Sequence, residues 1–406
     1  MSRVFRSTYH DTPDRRLARS GVALRRRLEN GTNTWEVELP EAPRRVALAA
    51  PGGPAEPPQL ISDLLQAIVR DGELIEVLTV QTRRDGSHDE VSLLEDNTVV
   101  EEFVRDGRED DPGLDVLRRP SRQVPAKTAS PHERILARIG EQYDEMLAHD
   151  PGARLGEEPE AVHKFRVAIR RLRSVLRSAR PMVDRVWADQ LRAELDWLAQ
   201  ALGRVRDLDV LISHLEGEVA DLPDDHEAGE LLLTKLRSKR AAAQHELVET
   251  LSSDRYATLL ARVEEAAAEP RWVGDEVPVD ELARKDFDRF DRAASKLGST
   301  PSSERLHRVR IRAKRARYAA EVAEPLVGKP ARRFVSRAKK LQDIAGEHQD
   351  AVVAEQTLRG LVRAEPQLTF VAGRLVERQR ERSAGARKDF RKALKKLRKA
   401  GKRAWH

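Results

Sequence analysis

The 406-residue chain has no cysteine, which excludes disulfides, thiolate metal sites, iron–sulfur clusters and thiol nucleophiles. Aromatic residues make up only 4 %, so rings that could stack on bases or sugars are scarce. No apolar run approaches the ~18 residues a membrane span needs. The opening MSRVFRSTYHDTPDRR also lacks the apolar stretch of a secretory signal. A soluble cytoplasmic protein is the expectation. There is no GxGxxG turn, no GxxxxGK followed by Ser or Thr, no HExxH pair and no GxSxG elbow. Gly328-Lys329-Pro330 is no substitute for a phosphate loop, and His245-Glu246 lacks a second histidine at zinc spacing. The eleven histidines are scattered, so neither a metal nor a cofactor is expected.

What is abundant is charge. Asp, Glu, Lys and Arg form 35 % of the chain, and the net charge of +6 is unevenly spread. Residues 1–130 hold 19 basic and 23 acidic residues, a net −4, whereas 131–406 hold 55 and 45, a net +10. A polyanion partner is therefore expected for the second part rather than the first.

The two parts also differ in pattern. Up to about residue 105 short alternating segments predict strands at Val22–Arg27, Trp35–Leu39, Leu74–Thr82 and Val91–Val100. Asn30-Gly31 and Asp85-Gly86-Ser87 read as turns between them, and Leu60–Arg70 as a short helix. Pro40–Pro58 reads as a mobile loop, and Arg119–Pro131 as a linker. From Pro131 onward helical spacing dominates. It predicts Pro131–His149, Glu160–Ala179, Arg185–Leu202, Leu208–Glu218, Glu227–Leu251, Ser253–Glu269, Val279–Lys296, Ser303–Ala323, Arg332–Gly346, Ala351–Arg363 and Gln367–Lys399.

The helical part contains a repeat. VHKFRVAIRRLR (162–173) aligns without gaps on LHRVRIRAKRAR (306–317), matching His163 with His307, Arg166 with Arg310, Arg170 with Lys314, Arg171 with Arg315 and Arg173 with Arg317. Downstream, LGRVRDLDVL (202–211) aligns with AGEHQDAVVA (345–354), matching Asp207 to Asp350. Two helical units related by duplication are expected to face each other across a pseudo-two-fold axis.

In the first copy Val162, Phe165, Ile169, Leu172 and Leu176 form an apolar stripe for the core. His163, Arg166, Arg170, Arg173 and Arg177 repeat the same spacing one position along, and Arg171 widens that cationic stripe. The second copy repeats it with His307, Arg310, Lys314 and Arg317, flanked by Arg308, Arg312 and Arg315. A solvated helix face mixes signs, because pairs of opposite charge four residues apart stabilise it. Neither 163–180 nor 307–317 contains an acidic residue, so these faces await an anion. Arginine suits phosphate, gripping two oxygens with its planar fork and staying charged. Asp207 and Asp350 are expected to orient Arg206 and its neighbours, or to cap helices starting near 208 and 351. Arg387–Arg403, with ten Lys/Arg and one Asp, would extend the phosphate surface, bind nucleic acid, or be a frayed solvated end.

HKFRVAIRRLRSVLR followed by LGRVRDLDVL, with the weaker second copy, resembles the CHAD domain, the conserved histidine α-helical domain, over roughly 131–406. The resemblance implies two antiparallel helical bundles around a basic central cavity that binds inorganic polyphosphate. It places His163, Arg166, Arg170, Arg171, Arg173, His307, Arg310, Lys314, Arg315 and Arg317 on that ligand, and Arg177, Arg206 and Lys340 are expected to join them. This chain departs from the pattern at Gln349, opposite Arg206.

Residues 9–40, YHDTPDRRLARSGVALRRRLENGTNTWEVELP, resemble a CYTH domain, the triphosphate tunnel fold often joined to CHAD. Catalytic members hold phosphate with basic residues and a divalent metal with acidic ones, starting from a Glu-x-Glu-x-Lys strand. Ser2–Thr8 contains no glutamate, and Glu38 stands where a lysine is usual. A truncated, degenerate, non-catalytic tunnel is therefore expected, with residual phosphate affinity at Arg25, Arg27 and Arg83.

The expected organisation is thus α+β: a partial antiparallel β-tunnel in 1–118, a linker in 119–130, and an all-α domain in 131–406 with repeat halves at about 131–270 and 279–406. The expected function is non-catalytic binding of inorganic polyphosphate. Polyphosphate granules or their associated proteins are further expected partners, and no membrane is. The alternatives are a metal-dependent triphosphatase in the first domain, or RNA or other nucleic-acid binding through the basic C-terminus.

Overall fold

The computed structural model describes residues 3–29, 31–40, 46–85, 88–95, 98–106, 125–126, 128–298 and 302–406. Strands β1 (Arg3–Asp11), β2 (Ala23–Glu29), β3 (Thr32–Glu38), β4 (Val46–Pro51), β5 (Ile75–Asp85), β6 (His88–Glu95) and β7 (Thr98–Asp106) form one antiparallel sheet, ordered β4-β3-β2-β1-β5-β6-β7. Tyr9 on the central strand lies opposite Arg25 and Leu78 and packs with Ala23, Val80, Val91 and Leu93. Where β1 ends, the Asp11 carboxylate accepts from the amides of Thr12 (2.7 Å), Leu17 (2.8 Å) and Ala18 (2.9 Å). The amides of Leu17 and Ala18 would otherwise be orphans at the start of helix α1 (Arg16–Arg19). Helix α2 (Gln59–Val69) buries Ile61, Leu64, Leu65 and Ile68 along one face.

The helices that follow are α3 (Pro131–Leu155), α4 (Pro159–Ala179), α5 (Arg185–Ala220), α6 (His226–Leu251), α7 (Asp254–Ala268), α8 (Val279–Ser295), α9 (Ser303–Val327), α10 (Lys329–Ala364) and α11 (Thr369–Trp405). Antiparallel sheet followed by helices is the organisation expected from the sequence. No helix among the described residues is long and apolar enough to cross a membrane.

The chain divides into two compact units. The first comprises residues 1–123, 141–168 and 251–260. In it, Arg70 at the end of α2 donates to the hydroxyl of Tyr143, and Arg154 donates to the Leu251 carbonyl (2.7 Å) and to Asp150 (2.6 Å). The second carboxylate oxygen of the fully buried Asp150 accepts from the Tyr256 hydroxyl at 2.6 Å. The second unit comprises residues 124–140, 169–250 and 261–406. One of its cores joins α5 and α6 (Leu211, Leu215, Leu232, Leu236) to α10 and α11 (Leu358, Leu361, Leu375). Another stacks Phe287 of α8 edge-on against Phe334 of α10, with Trp405 of α11 behind.

Several boundaries differ from the sequence reading. The segments 185–202 and 208–218 are one helix, α5, and 332–346 and 351–363 are one helix, α10. Gly203 and Gly346 are helical, and the ~1 kcal/mol an interior glycine costs relative to alanine is offset by continuous burial on either side. Asp207 and Asp350 therefore lie inside helices and cap neither. The segment 91–100 is split between β6 and β7, and the expected loop 40–58 contains β4. Asn30, Gly86-Ser87, 41–45, and 119–124 with Lys127 of the expected linker lie outside the described residues. The basic C-terminus is no frayed end: α11 runs to Trp405 and buries Phe390, Leu394 and Leu397. At Gly401 a Cβ would stand 2.0 Å from the Phe287 ring, so only glycine admits this approach of α11 to α8.

Candidate anion-binding site

Helix α4 presents the stripe read from its sequence. Val162, Phe165, Ile169, Leu172 and Leu176 are wholly buried, and the cationic positions one step along are half-buried. His163 and Arg166 stand on the part of α4 belonging to the first unit, Arg170 to Arg177 on the part belonging to the second.

In the second unit the stripe is not left without carboxylates; distant helices supply them. Arg173 pairs with Asp196 of α5 at 2.6 Å, and Arg177 with Asp286 of α8 at 3.0 Å. Arg171 reaches Glu321 of α9 at 3.9 Å, and Arg317, the second-copy equivalent of Arg173, holds the same carboxylate at 3.1 Å. Arg317 also donates to Gln342 of α10 (2.8 Å) and lies over the Tyr318 ring at 4.6 Å. The two basic helices of the repeat thus meet at Glu321.

The supply of carboxylates falls short of the arginines. The buried Nε–H groups of Arg171 and Arg173 have no hydrogen-bond acceptor among the described residues. Arg177 is pushed down to about 10 by desolvation, and the charges of Arg315 and Arg192 add to the effect against the pull of Asp286. Burial, with Arg192 nearby, also lowers Arg173 despite Asp196. Burial lowers Arg315 too, as do Arg312, Arg192 and Arg289. Arg177, Arg192, Arg289 and Arg315 line a cleft of about 420 Å³ together with Arg180 and Lys285, and its one acidic lining residue is Asp286. In low dielectric such crowding of like charge is what a bound anion would relieve.

The remaining expected residues are dispersed. Arg310 acts on α10, its charge opposing the rise that burial imposes on Asp350 and adding to the lowering that burial imposes on His348. Asp207 raises Asp350 further, so the two repeat-equivalent aspartates feel each other. Lys314 is half-buried on the same stripe of α9, whereas His307 near its start is exposed. Arg206 is half-buried within α5. Lys340 is exposed and lines a hollow of mixed sign that also contains Glu324, Asp343 and Glu347. Arg315 and Arg177 look toward α8, not toward the α10 partners of Arg310 and Arg317.

In the sheet, Arg25 is buried and committed. Its guanidinium holds Glu36 at 2.6 Å and Glu38 at 3.0 Å, and Arg27 stands 3.7 Å from Glu36. A phosphate at Arg25 would have to displace two buried carboxylates. Arg83 is exposed on β5.

The sequence reading missed Arg180, Arg192, Lys285 and Arg289, all in the cleft. Arg192, Lys285 and Arg289 sit on helices that also carry aspartates, so no acid-free run marks them, and Arg180 closes the acid-free run of 163–180 beyond the residues matched in the repeat. Their excess of charge appears only after Asp189 and Asp286 have each been shared between two arginines.

The family described as the CHAD domain matches residues 137–359. MT2285 of Mycobacterium tuberculosis (strain CDC 1551 / Oshkosh) and Rv2226 of strain ATCC 25618 / H37Rv are each 27 % identical to this chain, over 98 % of it and 90 % of their own length. Among solved structures, the CHAD domain from the plant Ricinus communis aligns with a TM-score of 0.55 and 25 % identity, covering 67 % of this chain and 94 % of that one. PptA from Streptomyces chartreusis aligns with a TM-score of 0.56 and 21 % identity, covering 66 % and 100 %. With a match over more than half its length, and with the duplicated arginine helices meeting at Glu321, the chain belongs to the CHAD domain family.

Proposed function

We propose that this protein binds inorganic polyphosphate, without cleaving it, through the arginines of the two repeated helices α4 and α9. The observation that carries the reading is the deficit of acceptors around them: buried Nε–H groups on Arg171 and Arg173 without one, and Arg177 held low by desolvation and its cationic neighbours. A chain of phosphates supplies acceptor oxygens and negative charge at close intervals, and charge-assisted bonds to guanidinium are the strong kind. Membership of the CHAD family supports the same ligand. The sheet-bearing unit is then an accessory module, its Arg25 neutralised internally by Glu36 and Glu38. Polyphosphate granules or their associated proteins are the corresponding cellular partners.

The test is calorimetric titration with long-chain polyphosphate at two salt concentrations, without divalent metal. Tight binding that weakens steeply with salt is expected, because each neutralised phosphate releases counterions, an argument carried over from nucleic acids. Affinity unchanged between low and high salt would overturn the electrostatic mechanism. Wild-type affinity in an Arg171→Ala/Arg310→Ala variant would overturn the assigned surface.

A further inference from the structure

Helix α9 is cationic on two sides. Arg310, Lys314 and Arg317 form the stripe matched in the repeat, and its partners lie on α10: Gln342 for Arg317, and Asp350 and His348 under the charge of Arg310. Arg308, Arg312 and Arg315 precede these three by two positions each. At 3.6 residues per turn that offset is about 200°, so the second stripe runs along the opposite side of the helix. It looks onto α8, where Arg289, Arg292 and Lys296 repeat at helical spacing, and the two rows enclose a groove of about 700 Å³.

The groove is less compensated than the cleft beside Arg177. Of its cations, Arg289 is paired with Asp286 (3.0 Å), and Arg308 stands 3.7 Å from the exposed Glu304. Arg292, Lys296, Arg305 and Arg312 have no carboxylate at ion-pair distance among the described residues. The cause lies on the other side of α8, whose Asp291 is taken by Arg398 at 2.6 Å and whose Asp288 accepts from His406 at 3.0 Å. Packing of the C-terminal helix and His406 thus takes Asp288 and Asp291, and leaves Arg292 and Lys296 facing α9 without either carboxylate. Like charges three and four residues apart on each helix, and across the groove, disfavour the arrangement unless an anion joins it.

We propose that the α8–α9 groove, which meets the cleft beside Arg177 at Arg289, is a second polyphosphate surface on the side of α9 opposite Arg310, Lys314 and Arg317, so that one protein can bridge two chains. The proposal rests on the polyphosphate reading above. The occupant is polyphosphate rather than nucleic acid because the apolar lining is Ala293, Leu297 and Val309, which offer no ring for a base to stack on. Rows on opposite sides of a helix ~10–12 Å across cannot grip the same few phosphates. Long chains are therefore cross-linked as the protein is added, and the cross-links are lost when either component is in large excess.

The test compares wild type with Arg292→Ala/Arg305→Ala/Arg308→Ala, three exposed positions where alanine favours the helix. Calorimetry with short-chain polyphosphate should give two chains bound per wild-type protein and one per variant. Light scattering with long-chain polyphosphate should rise to a maximum near equivalence for wild type and stay flat for the variant. Equal stoichiometry and equal scattering in the two proteins would overturn the proposal. So would complete loss of short-chain binding in a variant of unchanged helicity, since the groove would then be the sole surface. Single-stranded RNA filling the groove in preference to polyphosphate would assign it to nucleic acid and overturn it as well. If wild type binds neither short nor long chains, it is the polyphosphate reading itself that falls.

Discussion

Arg171 and Arg317, one from each copy of the repeat, share the single carboxylate of Glu321, at 3.9 and 3.1 Å. Glu321 is half-buried and stands where the two basic helices come together. It holds both guanidinium groups in place and competes with any phosphate that approaches them.

Glu321→Gln should therefore tighten polyphosphate binding by about three- to tenfold, in line with the ~1 kcal/mol typical of a partly exposed ion pair. The salt dependence should steepen at the same time, because two more cations are available to release counterions. Titration of both proteins at matched ionic strength decides it. Weaker binding in the variant would mean that Glu321 serves only to order the arginines.

The Asp350 carboxyl is raised above its ordinary value by burial, with the charge of Asp207 adding to the effect, against the pull of Arg310 and Arg382. A carboxyl whose pKa is higher in the folded state contributes stability below its unfolded pKa and loses it as pH rises through the folded one. Asp350→Asn should thus raise Tm at pH 7, by about 1–3 °C. Near pH 3, where the aspartate is itself neutral, the gain should vanish. Thermal melts at the two pH values test the sign, and a variant that melts lower at pH 7 would contradict it.

Gly401→Ala should destabilise the second unit by roughly 1–3 kcal/mol, the usual cost of forcing extra volume into a packed contact. The new Cβ would fall 2.0 Å from the Phe287 ring and push α11 away from α8. Urea unfolding followed by helical circular dichroism reads the loss. A milder cost in Gly401→Ala/Phe287→Leu would attribute it to this contact.

Arg25→Ala should be severe for a different reason. It leaves Glu36 and Glu38 buried beside each other without their cation, and breaking a buried pair from one side costs about 3–5 kcal/mol. Polyphosphate affinity should nevertheless stay at the wild-type value in protein that remains folded. A loss of affinity matching the loss of stability would bring the sheet into the binding surface.

Much of this molecule is legible in its sequence, for physical reasons that also mark where legibility ends. The apolar stripe of α4 is strictly periodic, and its five residues are all fully buried. Breaks are harder to read: Gly203 and Gly346 look like helix ends, yet both lie inside 36-residue helices, because burial of the flanking side chains outweighs glycine's small penalty. Strand β4 has its ladder partner in β3, and nothing within Val46–Pro51 signals that pairing. The arginine stripes are visible as runs without acids, but the partners of the first copy, Asp196, Asp286 and Glu321, come from other helices, whereas Arg317 finds Glu321 four residues along its own helix. The cations of α8 stayed hidden for the converse reason, since Asp288 and Asp291 beside them look like compensation until the C-terminal helix and His406 take both.

Helices α5 and α10 are the same length, and Asp207 and Asp350, equivalent in the repeat, occupy nearly the same place along them. The charge of one is felt by the other. In a duplicated chain this joins two kinds of kinship, descent from a common ancestor residue and nearness in space, at one point. A substitution in either copy there alters the surroundings of its own twin, so the two halves cannot drift independently at that junction. Directly beside it the copies have already parted, with Arg206 in one and Gln349 in the other. The seam between the halves is thus where sequence divergence carries an electrostatic consequence for both.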